Sequence, residues 1–255
     1  MSVKKNQSYP SLFLFYLLFL FTCSSFIFEI PATISSKIKP DLSVKNFLPL
    51  AKDCSLGKTI LYDSLQLESI GLSKEAFIYA LKGFNRLQNA GKLQNDSILS
   101  IIDFSLPSNK KRLFVIDLKM GQLLFNTLVS HGKKSGGQIA TSFSNKLNSY
   151  KSSLGFYITG NTYKGQHGCS LRLEGEEAGI NDNALNRGIV MHSAAYVDAR
   201  FINNQGYIGR SEGCPAIPQQ IHKEIIEKIK NGSCLFIYSP DKYYVSHSKM
   251  IRGEV

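Results

Sequence analysis

The chain has 255 residues, 43% hydrophobic and 11% aromatic, which is enough for one substantial core with a small extra subdomain and too apolar for a chain that stays unfolded. Its formal charge of +11 comes in part from lysine-rich stretches such as Lys110-Lys111-Arg112 and Lys133-Lys134. No basic helix or aromatic-interleaved stripe accompanies them, so no nucleic-acid partner is indicated, and the charge suits an acidic polymer or a membrane face equally well.

At the start, Lys4 and Lys5 precede an uncharged apolar run from Leu12 to Phe21, and Thr22, Ser24 and Ser25 follow. A positive end, a short greasy centre and a small-residue exit make a secretory signal peptide, expected at 1–25. Extended through Phe26-Ile27-Phe28, the run approaches the roughly 20 apolar residues of a spanning helix, so an uncleaved membrane anchor is the alternative. Cys23 follows Leu20-Phe21-Thr22 as in a lipoprotein processing box, but with bulky residues where small ones are usual, which makes a lipid-anchored product the lesser reading. Removal of a signal containing Cys23 leaves Cys54, Cys169, Cys214 and Cys234, an even number that permits two disulfides without selecting a connectivity.

Residues 26–59 mix Pro31, Pro40 and Pro49 with Ser, Lys and scattered apolar positions, and read as a tether. A helical segment is expected over 60–96. Ser73 can cap a helix running through Ala90, with Gly91 as its exit and Phe77, Ala80, Leu81, Phe84 and Leu87 on one face, a core stripe rather than a ligand site. Short apolar strands follow at Ile98–Phe104, Arg112–Leu118 and Gln122–Val129. The last two flank Lys119-Met120-Gly121 and read as a hairpin. Further strands are expected at Gly155–Thr159, Ser170–Leu173 and Gly188–Met191, which together imply a mainly β sandwich or barrel with flanking helices. A helix from Pro218 to about Asn231 buries Ile221, Ile225, Ile226 and Ile229, and Cys234–Tyr238 returns as a buried strand with Cys234 as an inert core thiol. The main domain then spans 97–240, and 241–255 is expected to be a polar, frayed tail.

Chemistry concentrates in Val190-Met191-His192-Ser193-Ala194 and, further on, Gly209-Arg210-Ser211-Glu212-Gly213-Cys214-Pro215-Ala216. A histidine at a strand end and a cysteine in a glycine-flanked loop suit thiol chemistry: the imidazole takes the thiol proton and the sulfur attacks a carbonyl carbon. Such a catalytic Cys214 has to stay unpaired. Pro215 has no N–H, so an oxyanion would rely on the N–H groups of Gly213 and Cys214, the Ser211 hydroxyl, or Arg210 and Arg187. A lone buried cysteine or histidine is usually structural, but a loop this rich in glycine loses backbone entropy that only a used shape justifies. His167, on a glycine-rich turn, is a candidate for substrate contact, and His131 reads as structural.

These residues resemble the L,D-transpeptidases, most closely the branch described as murein L,D-transpeptidase catalytic domain proteins. The resemblance runs from about Leu61 to Tyr238, through Gly71–Phe77, Ile102–Ser105, Ser152–Tyr157, Gly168–Leu173, Gly179–Ala184 and His192–Ala216. It implies a β-sandwich catalytic domain in the cell envelope, in the periplasm or at the outer face of the inner membrane. The implied chemistry is a thioester between the cysteine and a peptidoglycan stem tetrapeptide, with loss of the terminal D-amino acid and transfer of the acyl group to a neighbouring stem or to water. Carried over by position, Cys214 is the nucleophile, His192 the base, and Ser211-Glu212-Gly213-Cys214 the family's Ser/Thr-x-Gly-Cys loop. Peptidoglycan stem peptides are the implied partner and no cofactor is implied. Glu212 stands where many members have histidine, and Ala216 where many have a polar or basic residue. A carboxylate beside the thiol opposes thiolate formation unless it pairs with Arg210 or turns to solvent.

Four other readings compete. A catalytically silent wall-binding module would keep the fold, and an L,D-carboxypeptidase would only trim stems. A zinc site from His167, Cys169, His192 and Cys214 lacks a paired Cys-x-x-Cys or His-Glu-x-x-His spacing. A papain-like peptidase would place its cysteine before its histidine, the reverse of the order here.

Overall fold

A computed structural model describes residues 60–166 and 168–253. The expected signal or anchor, the tether, Cys23, Cys54 and His167 lie outside the described residues. Among the described residues no helix is long and apolar enough to cross a membrane.

Helix α1 (Lys74–Asn89) starts where its cap predicts: the Ser73 side chain accepts from the Ala76 N–H at 3.2 Å. Glu75 in the first turn and Arg86 in the last complement the helix dipole. The stripe Phe77, Ala80, Leu81, Phe84 and Leu87 is buried, and Gly83 lies among these residues. A Cβ on Gly83 would stand 2.1 Å from the Phe156 ring, so the helix owes its close seat on the sheet to that missing atom.

Among the described residues, eight strands form one hydrogen-bonded sheet in the order β3-β2-β1-β8-β4-β5-β6-β7, with β1 Ile98–Asp103, β2 Leu113–Asp117, β3 Gln122–Thr127, β4 Gly155–Gly165, β5 Gly168–Gly175, β6 Val190–Ser193, β7 Ala216–Ile217 and β8 Cys234–Tyr238. The β2–β3 hairpin closes as expected, with Gly121 at φ +62° and Asp117 Oδ1 accepting from the N–H groups of Lys119 and Met120 at 3.1 and 2.9 Å. All of β1, β2 and β8 is buried on both faces, which is why these segments read as continuous apolar runs rather than alternating ones. The last strand enters at the centre: β8 pairs in parallel with β1 and antiparallel with β4, joining the N-terminal meander to the half that carries the site. Phe156 and Phe236 stack across that seam at 4.2 Å.

The mainly β architecture with flanking helices follows the sequence expectation, and Cys234 is fully buried and unpaired. Three details differ. Strands β4 and β5 run well past the expected segments, carried by a register shift between Thr159 and Thr162 that lets the hairpin bend. The last long helix, α3 (His222–Ile229), begins later than Pro218, because β7 holds the chain extended up to that proline and Ile221 supplies no capping side chain. Residues 241–253 are not frayed. They form α4 (Lys242–His247) and α5 (Lys249–Arg252), with Tyr244 and Ile251 buried. A further short helix, α2 (Ala199–Gln205), capped by Asp198 and ended by Gly206 at φ +85°, lies between β6 and the cysteine loop.

Candidate active site

Strand pairing carries His192 and Cys214 to neighbouring positions. Strands β6 and β7 run parallel with His192 opposite Ala216, so Cys214, two residues earlier, lies beside the approach to β6. Its Sγ is 3.7 Å from the Gly188 carbonyl, and the Val190 N–H faces the sulfur. The thiol is half-buried and unpaired. His192 is 3% exposed, and its Nδ1 lies 2.9 Å from the Ser193 carbonyl. Because a carbonyl only accepts, that contact puts the proton on Nδ1 and leaves Nε2 as the basic nitrogen.

The loop before the cysteine is locked from within. The Ser211 hydroxyl donates to the Cys214 carbonyl at 2.6 Å and accepts from the Gly213 N–H at 3.1 Å. Ser211 therefore closes the turn, and its proton is directed away from any oxyanion. Pro215 has no N–H, and the Cys214 N–H meets no acceptor among the described residues. This leaves it as the loop amide able to receive a developing negative charge. Gly213 is required on two counts: its φ is +130°, and a Cβ there would stand 2.8 Å from the Lys151 carbonyl and 3.3 Å from Arg187 Nη2.

Beneath the loop lies a second layer that the sequence did not announce. Ser211 N–H donates to the His131 carbonyl at 3.0 Å, and Lys133 N–H to the Ser211 carbonyl at 2.7 Å. Ser152 Oγ accepts from the Gly132 N–H and donates to the Gly213 carbonyl. The 130–133 segment is held in turn by Arg112, fully buried, which donates to the carbonyls of Val129 and Leu106 and to His131 Nδ1. Burial pulls the Arg112 guanidinium down to about 9. Burial and that guanidinium hold the His131 imidazole down at about 4, so it stays neutral, as its structural reading requires. Arg112 reads in sequence as the end of a basic run, and only the fold turns it inward.

The two expected arginines have different surroundings. Arg187, half-buried, donates to the carbonyls of Ser144 and Lys151 and to the hydroxyls of Ser149 and Ser153. It braces the 144–153 loop against the cysteine turn, and its charge favours the thiolate. Arg210 is exposed and reaches the Gly136 carbonyl at 2.9 Å. Glu212 does not pair with Arg210. Its carboxylate meets Lys133 Nζ at 2.7 Å in an exposed ion pair. Burial pushes the Cys214 thiol up, and the Glu212 charge adds to that rise, while the Val190 amide and Arg187 oppose it. Among the described residues no group of His, Cys, Asp and Glu converges on a metal-binding arrangement.

No curated protein matches the chain. Solved structures similar to it include an L,D-transpeptidase from Mycobacterium smegmatis, 13% identical over 56% of this chain and 59% of the other, with a TM-score of 0.36. Another L,D-transpeptidase, from Stackebrandtia nassauensis, is 13% identical over 72% and 77% of the two chains, with a TM-score of 0.35. A helical cell shape determining protein from Campylobacter jejuni is 13% identical over 65% and 57%, with a TM-score of 0.39. The match thus spans 59% of the mycobacterial chain, leaving two fifths of it without a counterpart here. The model of the L,D-transpeptidase catalytic domain matches residues 68–238, a stretch that contains every strand and the whole His192–Ala216 segment, and on that match the chain belongs to the L,D-transpeptidase catalytic domain family.

Proposed function

We propose that this chain is an exported cysteine acyltransferase acting on the stem peptides of peptidoglycan, with Cys214 as nucleophile and His192 as base. The observation that supports the reading is the β6–β7 register, in which Ala216, two residues after the free, half-buried thiol of Cys214, lies opposite the buried His192, whose Nδ1 is bound to a carbonyl. Burial keeps the resting thiol protonated, so its proton moves to His192 Nε2 as the sulfur attacks, rather than before. The bond from Sγ to the stem carbonyl carbon forms. The carbon–nitrogen bond to the terminal D-amino acid then breaks, and the imidazolium returns the proton to the departing amine. An acceptor amine, or water, next attacks the thioester, which releases the Cys214 thiol and gives a cross-linked or a trimmed stem. The Cys214 N–H receives the negative charge on the carbonyl oxygen in both steps. Arg187 and Gly213 act through the loop they hold.

The test is mass spectrometry of the full chain incubated with a synthetic stem tetrapeptide. The expected result is an acyl adduct on Cys214 and stoichiometric release of the terminal residue. Cys214→Ser should abolish both while the variant unfolds at the wild-type temperature, and His192→Ala should slow adduct formation by about a hundredfold or more, the scale of a lost general base. Absence of adduct and of released amino acid in the wild type would instead support a silent wall-binding module of the same fold.

A further inference from the structure

Lys133 is tied into the cysteine turn through its backbone, its N–H donating to the Ser211 carbonyl at 2.7 Å, while Gly132 bridges to Ser211 beside it. Its ammonium sits 4.2 Å from the centre of the Tyr150 ring and meets the Glu212 carboxylate at 2.7 Å. Tyr150 holds a left-handed backbone at φ +56°, uncommon for an aromatic residue, and its carbonyl accepts from the Lys134 N–H. The cationic groups nearby are engaged differently. Arg187 is saturated by loop carbonyls and hydroxyls, Lys151 donates to Ser142 Oγ at 2.6 Å, and Arg210 reaches Gly136. Lys133 alone among these is neutralised by an exposed carboxylate, in a kind of pair whose net stabilisation in water is small and which another carboxylate can therefore displace.

We propose that Lys133, seated on Tyr150, is the specificity residue that binds a carboxylate of the acyl donor, and that Glu212 is its internal, displaceable counter-ion. The inference rests on the acyl-transfer reading of Cys214. In such a donor the carboxylate of the departing residue lies one residue beyond the attacked carbonyl, about 3.8 Å along the backbone. A cation meant to recognise it has to lie close to the nucleophile's turn, and Lys133 is hydrogen-bonded to that turn through its backbone. Glu212 occupies that cation while the site is empty. When a donor carboxylate takes its place, the Glu212 side chain moves into solvent, where it is already largely exposed.

The experiment compares two synthetic tetrapeptide donors, one ending in a free carboxylate and one in a carboxamide, by the rate of acyl-adduct formation on Cys214 of the full chain at low ionic strength. The wild type should prefer the carboxylate donor by about two- to fivefold, the scale of an exposed ion pair. Lys133→Met should lose that preference through KM while still turning over the carboxamide donor, and Lys133→Arg should restore it. Glu212→Gln should widen the preference by lowering KM for the carboxylate donor. A Lys133→Met variant that keeps the wild-type preference, or a wild type that treats the two donors alike, overturns the assignment of Lys133 and leaves the thiol chemistry standing. A wild type acylated by neither donor removes the functional reading itself and this proposal with it.

Discussion

At the scale of single residues, the thiol's protonation is decided by four opposed influences. Burial and the Glu212 charge disfavour the thiolate, while Arg187 and the Val190 amide favour it, and the balance leaves the pKa above the ordinary 9.0. The rate of Cys214 alkylation by iodoacetamide should therefore climb with pH to a midpoint above that value. Removing a like charge stabilises the thiolate, so Glu212→Gln should move the midpoint down. An unchanged midpoint in that variant would show that the carboxylate, drawn off by Lys133, does not act on the sulfur. Cys214 and His192 stand out in the sequence as candidates because of their residue types and the glycine-rich loop before the cysteine. Ser211 was legible as a site residue, but its two hydrogen bonds give it the work of closing a turn. Glu212 was expected either to pair with Arg210 or to turn to solvent; it is largely exposed, and its partner Lys133 lies in a distant segment that the sequence did not connect to it. Arg112 and Tyr150 left no signal at all: a buried cation held by carbonyls, and a left-handed tyrosine, are set by packing between distant segments.

Among the secondary-structure elements, what the sequence conveyed best was anything with a cap and a period. Helix α1 begins at its serine and buries its stripe, and the β2–β3 hairpin turns at its glycine. Strand ends were harder to place, because a register shift lets β4 and β5 continue through polar residues that look like loop. The seat of α1 on the sheet depends on Gly83, which costs the helix about 1 kcal/mol relative to alanine in intrinsic propensity. The fold accepts that cost because an added methyl would overlap the Phe156 ring. Gly83→Ala should therefore destabilise the protein by about 1–3 kcal/mol despite the better propensity, as overpacked cores do. Urea unfolding measures this directly. A gain in stability would mean that the ring moves aside at no cost, and that the stacking of Phe156 on Phe236 does not fix its position.

For the molecule as a whole, the chain closes on itself through its last segments. Strand β8 joins the two halves of the sheet, and α4 and α5 then fold back under a single buried carboxylate. Glu177, 5% exposed, accepts from the Phe156 N–H at 2.9 Å, from the Tyr244 hydroxyl at 3.0 Å and from the Ser248 hydroxyl, so one side chain ties β4 to both ends of α4. No ion pair to Glu177 occurs among the described residues. This lock was invisible in a sequence that reads as a polar tail, because the burial of Tyr244 and Ile251 depends on a surface assembled from α1 and β8. Burial holds the Glu177 carboxyl above its ordinary 4.5, against the lowering effect of its three donors. The folded chain thus binds that proton more tightly than the unfolded chain. Its contribution to stability is complete below pH 4.5 and is lost as the pH rises through the folded-state value. Glu177→Gln keeps the shape and cannot ionise, so its stability relative to the wild type should improve between about pH 4 and about pH 8 as the wild-type carboxylate becomes charged in place. Urea unfolding of both proteins at the two ends of that range decides the matter: a difference that stays constant would mean that the three donors stabilise the carboxylate as well as water does, and that the C-terminal lock carries no electrostatic strain.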